Sequence, residues 1–483
     1  MPADSTQRAG ISGPLLSSDA TLTDPAQTLR QTFADAGQDH VFANWDTLGE
    51  RARRRLVRQL ETIDLGHLAQ MQGAISALQE KPQRRLAPAD TFALADEAFP
   101  FALAEAARAV APVGERALSR GEVGVVLVAG GQGTRLGFDG PKGCYPILPI
   151  SAMTLFEVFA RKLLHARAHF GRTPALYVMV GNHNESATRA FFEQHKCFGL
   201  DEGDVQFFAQ GELPALDAQG KFVMAGPDAL WTAPDGHGGV IEAMAHKGVL
   251  ADMRRRGIKF VSYLQVDNLQ CPVADPAFLG LHIAEGAEVS LKVVRKQDPS
   301  EKVGIYCLDD GVPGIVEYTE FTDHDANLRD PAGRLVYWQG SIAVHAFGVE
   351  FLQRLADTRT QLPLHAALKK VDAVGGIGQA HKFERFVFDS LPLANKVVCL
   401  EVPRQEQFLP LKNAQGPYGP DGVRESYQQY WKQALKLARP EQPEPPIIEV
   451  DPALCENARE LSGAIESRVI DTSQPLRLAQ GSL

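Results

Sequence analysis

From about residue 123 the chain alternates short apolar runs with longer segments whose apolar positions recur every three or four residues. The runs are "VGVVLVA" at 123–129, "ALYVMV" at 175–180, "VQFF" at 205–208 and "KFVSYLQV" at 259–266; the periodic segments predict helices over about 155–168, 186–195 and 240–256. Runs that are apolar on both faces and joined by helices predict a buried parallel sheet in a βαβ arrangement. Three later runs, "EVSLKVV" at 288–294, "GIVEYTE" at 314–320 and "SIAVHAF" at 341–347, flank turns such as "DDG" and "DPAG". They predict mixed-sheet strands that extend the sheet around a cleft. After "VVCLEV" at 397–402 come a helix over about 423–436, the proline-rich spacer "RPEQPEPP" and a small terminal unit.

Ahead of the sheet the pattern is helical to about residue 118, with no strand signal. Val41, Trp45, Leu48, Ala52, Leu56 and Leu60 are spaced as one helix, whose other face carries Arg51, Arg53, Arg54, Arg55 and Arg58. No aromatic residues interleave with these arginines, so a solvated basic face is expected rather than a nucleic-acid patch. Residues 1–24 show no periodicity and are expected to form a mobile tail.

Composition narrows the chemistry. At 483 residues, 44% hydrophobic and 22% charged, the chain is long enough for two or three domains with a large core. Its formal charge of -10 excludes a general nucleic-acid coat and requires local positive charge wherever an anion binds. The six cysteines lie far apart without C-x-x-C spacing, which predicts reduced thiols and neither a disulfide framework nor a zinc site. No run of about eighteen apolar residues is available to span a bilayer, and the first twenty residues lack the apolar segment of a secretory signal. A cytoplasmic protein with no membrane partner is expected.

The strand at 123–129 runs into "GGQGTRLGFDGPKG", a phosphate-loop candidate, because glycine lets backbone N–H groups approach an anion. The dinucleotide fingerprint G-x-G-x-x-G fails: Gly131, Gly133 and Gly137 are spaced one residue too long, and no acidic residue closes the strand at 180. The nucleoside-triphosphatase motif fails as well, since Lys142 follows Pro141 and precedes Gly143. A plain tight turn would leave Arg135 and Lys142 unaccounted for, two cations placed to bracket a polyphosphate.

The loop "LVAGGQGTRLGFDGPKG" resembles the L-x-x-G-G-x-G-T-R-L-G…P-K signature of eukaryotic-type UTP:sugar-1-phosphate uridylyltransferases. Further blocks, "AQGELPALDAQGKFVMAGPDALWTAPDGHGGV", "YLQVDNLQCPVADPAFLG", "EKVGIYC", "IVEYTE", "KFERFVFD" and "PRQEQFLPLKNA", resemble those of the UDP-N-acetylglucosamine pyrophosphorylase branch, in the same order over about residues 38–460. The resemblance implies a nucleotide-diphospho-sugar transferase fold: an α/β protein with a Rossmann-like mixed sheet. Its expected parts are a helical region over 25–118, a catalytic nucleotide-binding domain over 119–402 and a C-terminal domain over 403–483.

It further implies that UTP and a sugar 1-phosphate give a UDP-sugar and pyrophosphate with Mg²⁺. Gly130, Gly131 and Gly133 would line UTP, with Gly236 at its edge, and Gln210 would read uracil. Arg135, Lys142 and Lys412 would act on the phosphates, and Lys382 would reach UTP. Asp267, at the carboxyl end of an apolar strand, would hold the metal and UTP. Gly304, Glu317, Tyr318, His237 and Ser341 would face the sugar. Two positions depart from the branch: His237 replaces the asparagine of G-N-G-G, and Ser341 the asparagine that opens N-I-A-N-H. N-acetylglucosamine 1-phosphate is the first expectation, a glucose-type or broad-range enzyme the second, and an inactive UDP-sugar-binding regulator the reading of another class. The remaining histidines His345 and His365 are expected to be satisfied polar groups in packed elements.

Overall fold

The computed structural model describes residues 25–78, 84–95, 102–372, 376, 378–466 and 469–480, so the expected tail over 1–24 lies outside the described residues. Packing divides the chain into two units: Met1–Leu68 with Pro214–Trp231 and Lys369–Ala380, and all remaining residues. No local periodicity encodes this grouping of the first helices with two distant excursions.

In the smaller unit, helices α1 (Pro25–Asp35) and α2 (Glu50–Leu60) bury Phe33, Leu56 and Leu60 with Phe222, Val223 and Leu230 of the first excursion. Backbone groups are matched across the gap: Gln38 Oε1 accepts from Phe222 N–H at 2.9 Å and Gln59 Oε1 from Leu230 N–H at 2.8 Å. The single helix expected from Val41 to Leu60 is a correction, because Asp39–Phe42 and Trp45–Thr47 form short 3₁₀ turns and the regular helix starts only at Glu50. Its arginines are largely exposed, with Arg54 on Glu50 and Arg55 on Asp228.

The larger unit is built on an eleven-stranded mixed sheet. Its strands are β1 (Leu86–Ala87), β2 (Phe92–Ala93), β3 (Val123–Val128), β4 (Ala175–Val180), β5 (Val205–Ala209), β6 (Phe260–Gln265), β7 (Val289–Arg295), β8 (Ile305–Asp309), β9 (Val312–Val316), β10 (Gln339–Gly348) and β11 (Val397–Glu401). The main order is β2-β11-β7-β10-β6-β3-β4-β5; β8 joins at β10 and carries β1 and β9. β6, β3, β4 and β5 are mutually parallel, whereas β10 runs antiparallel to both β6 and β7. Along β3 every residue is buried. Val125 and Leu127 enter one core with Phe156, Phe159 and Trp431, while Val126 and Val128 enter the other with Tyr177, Met179 and Tyr263. Burial on both faces explains why these strands read as unbroken apolar runs.

Helix α3 (Glu105–Ser119) precedes β3, and α4 (Leu155–Phe170) and α5 (Glu185–Gln194) are the crossovers β3–β4 and β4–β5. Helix α4 starts where the Thr154 hydroxyl accepts from Glu157 N–H at 3.3 Å, and it stops at Gly171. The helix expected over 240–256 is two, α6 (Val240–His246) and α7 (Val249–Arg256), because Gly248 takes φ of +75° between them. The strands β1 and β2 lie in a stretch read as purely helical; strands of two residues carry no period to detect. In "GIVEYTE" the strand ends at Val316, since Glu317 N–H donates to the Glu320 carboxylate at 3.0 Å and closes a turn. Helices α8 (Pro276–Ala284), α9 (Val349–Asp357), α10 (Pro420–Ala438) and α11 (Ala458–Ile465) complete this unit, and the Tyr427 hydroxyl of α10 exchanges two bonds with the Val450 backbone. None of the six cysteines forms a disulfide. No helix among the described residues is long and apolar enough to cross a membrane.

Candidate active site

Four neighbouring parallel strands end in a row, and their carboxyl ends carry the chemistry. Ladder bonds continue past each strand: Ala129 N–H donates to Met179 O at 2.8 Å, Gln210 N–H to Val180 O at 2.9 Å and Val266 N–H to Val128 O at 3.0 Å. Gln210, Gly130 and Asp267 are therefore set side by side by register alone. A Cβ at Gly130 would strike the Gln210 amide oxygen, so a larger residue there would push that amide out of its present place.

The loop after β3 folds back on itself. Gly133 N–H donates to Gly140 O at 2.9 Å, Lys142 N–H to Gly131 O at 3.1 Å, and Gln132 bridges Pro141. This fold-back brings Lys142 Nζ to 3.4 Å from Asp267 Oδ2, with both side chains still partly exposed at 19% and 17%. Arg135 projects from the loop into solvent and has no hydrogen bond or ion pair among the described residues. The sequence reading missed Asn184, which is 1% exposed. Its side-chain amide donates to Ala129 O at 3.2 Å and Gly131 O at 3.3 Å, while its oxygen accepts from Gly181 N–H at 2.9 Å. Asn184 thus clamps the start of the loop; an asparagine in the "GNHN" run directly after β4 was the available signal.

Beyond Gln210 lies a buried pair that was also missed. Asp235 and Arg385 are 4% and 3% exposed, with Arg385 Nη1 at 3.9 Å from Asp235 Oδ2 and 3.6 Å from Glu242 Oε2. Burial pushes the Asp235 carboxyl up to about 6, against the opposing pulls of Arg385 and the Gln210 side chain. Two backbone bonds join these segments, Arg385 N–H to Asp235 O at 2.7 Å and Gly238 N–H to Arg385 O at 2.8 Å. Between them Gly236 takes φ of +84° with its Cα hard against the Arg385 backbone, a position no side chain fits.

His237 follows directly. Its Nδ1 accepts from Val387 N–H at 3.1 Å and the ring stacks on Phe386, 5.4 Å between centroids at 24°. Burial lowers its pKa to about 4, so at neutral pH the ring is neutral with its proton on Nε2. The charge of Lys412 is felt by both His237 and Glu317. The Glu317 carboxyl is raised, first by burial and then by Glu320. Gly304 lies beside Glu317, and Gly304 O accepts from Ser341 N–H at 2.8 Å. Tyr318 is 41% exposed and makes no described contact with this group. Lys382 is engaged by Glu384 at 2.6 Å.

The loop carrying Lys412 is tied to the strand end that carries Asp267. Leu411 N–H donates to Asp267 O at 2.8 Å, and the buried Asn268 side chain bonds Gln407 O and Leu409 N–H at 2.8 and 2.9 Å. Of the two histidines expected to be satisfied, His365 bonds Asp389 at 2.8 Å. His345 is a correction: fully buried against Tyr263 and Phe347, it has no hydrogen-bond partner on either nitrogen among the described residues, and burial lowers its pKa to about 3. A neutral ring packed as an aromatic fits that place.

Among the described residues no three His, Cys, Asp or Glu side chains come together as a metal cage. Asp267 offers one hard carboxylate oxygen donor, which with phosphate oxygens is the ligand set Mg²⁺ takes from nucleotides.

The chain is similar to known proteins over most of its length. Residues 109–418 match the family model described as UTP–glucose-1-phosphate uridylyltransferase. Over 414 residues the chain is 35% identical to UDP-N-acetylglucosamine diphosphorylase 1 of Arabidopsis thaliana, covering 81% of this chain and 80% of that one. UDP-N-acetylglucosamine pyrophosphorylase of Saccharomyces cerevisiae is 34% identical over 429 residues, with 80% and 86% covered. The crystal structure of the uridine diphosphate N-acetylglucosamine pyrophosphorylase from Trypanosoma brucei superposes with a TM-score of 0.82 at 25% identity, covering 97% of this chain and all of that one.

Proposed function

Because this chain belongs to the UTP–glucose-1-phosphate uridylyltransferase family and is a nucleotidyltransferase that makes a UDP-sugar and pyrophosphate, we propose that its sugar substrate is N-acetylglucosamine 1-phosphate. The observation that carries the reading is the row of strand ends: Gln210 and Gly130 for the base, Lys142 and Asp267 for the phosphates, spaced by sheet register. Both curated relatives compared above carry N-acetylglucosamine in their names.

An oxygen of the sugar phosphate attacks the α-phosphorus of UTP, and the bond from that phosphorus to the pyrophosphate oxygen breaks. The protein's part is to hold two anions in line and to offset charge that builds on the transferred and leaving groups. Gln210 presents amide donor and acceptor to uracil, and Asn184 keeps the loop in place for the α-phosphate side. Lys142 faces the transferred phosphoryl group; Arg135 and Lys412 close on the outer phosphates, and Lys382 reaches UTP by leaving Glu384. Asp267 would hold Mg²⁺, which would supply Lewis-acid charge at the phosphates. On the sugar side Glu317 accepts from hydroxyls, His237 donates from Nε2, and Gly304, Ser341 and Tyr318 line the remainder. Six cysteines outside any disulfide support a reducing compartment, the cytoplasm.

A glucose-type or broad-range enzyme is the second reading, favoured by the histidine in "PDGHGG". UTP consumption measured with a panel of sugar 1-phosphates decides between them. The acetamido sugar is expected to give the highest kcat/KM; a faster reaction with glucose 1-phosphate overturns that choice. Binding of UDP-sugar without turnover of any sugar phosphate leaves a regulator instead.

A further inference from the structure

Two lysines of the larger unit are buried where uridylyl transfer makes no direct use of them. Lys162, in the middle of α4, is 3% exposed, and its Nζ donates to Leu269 O at 2.8 Å and Cys271 O at 2.7 Å. Lys292, on β7, is fully buried and donates to Asp275 Oδ2 and Gln407 Oε1, both at 2.6 Å. Burying an ammonium costs several kcal/mol unless its partners are well placed, and a methionine at 162 would fill similar volume without that cost. Lys162 does not donate to a carboxylate in return. Burial lowers its pKa, with Glu456 as the main opposing charge, and the Phe159 ring lies 5.3 Å from Nζ.

Both carbonyls that Lys162 holds lie on the turn leaving Asp267. That turn is also stitched to the loop before Lys412, by Asn268 to residues 407 and 409, by Leu269 N–H to Leu409 O at 3.1 Å, and by Leu411 N–H to Asp267 O. Lys292 braces the same assembly through the Gln407 side chain. Lys162 and Lys292 together thus fix, from behind, the backbone that presents Asp267 on one side and Lys412 on the other.

We propose that Lys162 is a positioning residue for uridylyl transfer: through the Leu269 and Cys271 carbonyls it holds the turn after β6 so that the Asp267 carboxylate is aimed at the metal and at Lys142. This rests on the reading of Asp267 as the metal ligand. Groups that orient a metal ligand without touching the metal typically change its affinity by about 10-fold to 100-fold when removed.

The test uses the full chain with Mn²⁺ as the probe, its binding in the presence of UTP followed by electron paramagnetic resonance, beside the Mg²⁺ dependence of the rate. Lys162→Met is expected to weaken Mn²⁺ binding by about tenfold or more and to raise the Mg²⁺ needed for half-maximal rate in parallel. The KM for sugar 1-phosphate should stay unchanged, and Lys162→Gln, which keeps an N–H donor, should recover part of the loss. A Lys162→Met protein with a lowered Tm but unchanged Mn²⁺ affinity overturns the proposal. If that variant does not fold, Lys162→Gln decides: Mn²⁺ affinity below that of the unsubstituted chain supports the role, and equal affinity overturns it. Asp267→Asn separates the two levels of the argument. Unchanged Mn²⁺ binding in that variant overturns the metal-ligand reading itself, whereas its loss beside an unaffected Lys162→Met overturns only the role of Lys162.

Discussion

At the end proposed to take the phosphates, Arg135 and Lys412 stand exposed, and Lys142 meets Asp267 at 3.4 Å with both side chains partly exposed. At the end proposed to take the base and the sugar, Asp235 and Arg385 are buried, Gly236 is pressed against backbone, and His237 is fixed by a backbone N–H and an aromatic stack. The contrast follows from what each end must meet. A polyphosphate brings its own charge and pairs with cations that water solvates beforehand, so little protein is needed around them. A uracil ring or an acetamido group brings only dipoles, and the protein must hold matching dipoles in place before the ligand arrives. Substitutions at the phosphate end should therefore act on rate, and those at the other end on binding and choice of substrate.

Lys142→Ala gives the largest effect. Its cation counts most as charge builds on the transferred group, so kcat should fall by about a hundredfold to a thousandfold with little change in the KM for UTP. Steady-state kinetics with UTP varied separate the two parameters. A raised KM with unchanged kcat would place Lys142 in ground-state binding and erase the contrast between the ends.

Acid should expose the preformed end next. In the folded chain His237 titrates near 4, below the ordinary 6.5, so the fold excludes its proton. Stability from this group is complete above about pH 6.5 and is lost as pH falls toward 4, by at most roughly 3 kcal/mol. Chemical denaturation between pH 7 and pH 4 checks this. The slope over that window should flatten in His237→Asn; an equal slope in both proteins assigns the acid sensitivity to other groups.

Gly130→Ala tests the close approach at the base. The added methyl group falls on the Gln210 amide oxygen and forces the glutamine or the loop aside. Overpacking of this kind costs about 1–3 kcal/mol, which should appear as a KM for UTP raised by about fivefold to 150-fold. A change in kcat alone would show that the loop, and not the uracil contact, had moved.

These tests also mark how far the chain could be read without coordinates. The runs at 123–129, 175–180, 205–208 and 259–266 each became a strand, because strands buried on both faces leave a one-dimensional signature. Asp267 and the glycine loop were legible for the same reason: both sit where an apolar run stops. Asn184, Asp235, Arg385 and Lys162 were not. Their work lies in partners far away in sequence, Asp235 with Arg385 or Lys162 with Leu269, and no local period encodes such a pairing. The excursions 214–231 and 369–380 escaped likewise, since their grouping with the first helices, and the packing of Val371 and Ala380 on Ala215 and Val223, depend on where the chain returns.

The smallest effect expected is the most informative about substrate. Where the resembled branch has an asparagine, His237 offers a ring whose Nδ1 is already committed to Val387 N–H, leaving Nε2–H as a donor. That single donor serves an acetamido carbonyl as an asparagine amide would; what the histidine lacks is an acceptor for the acetamido N–H. Loss of one neutral hydrogen bond is worth about 1 kcal/mol, so His237→Asn should raise the kcat/KM ratio of N-acetylglucosamine 1-phosphate over glucose 1-phosphate only by about fivefold. Competition between the two sugar phosphates in one assay measures that ratio directly. A fall in the ratio would mean that the histidine favours the acetamido group better than an amide does, and that the departure at this position sharpens the substrate choice rather than relaxing it.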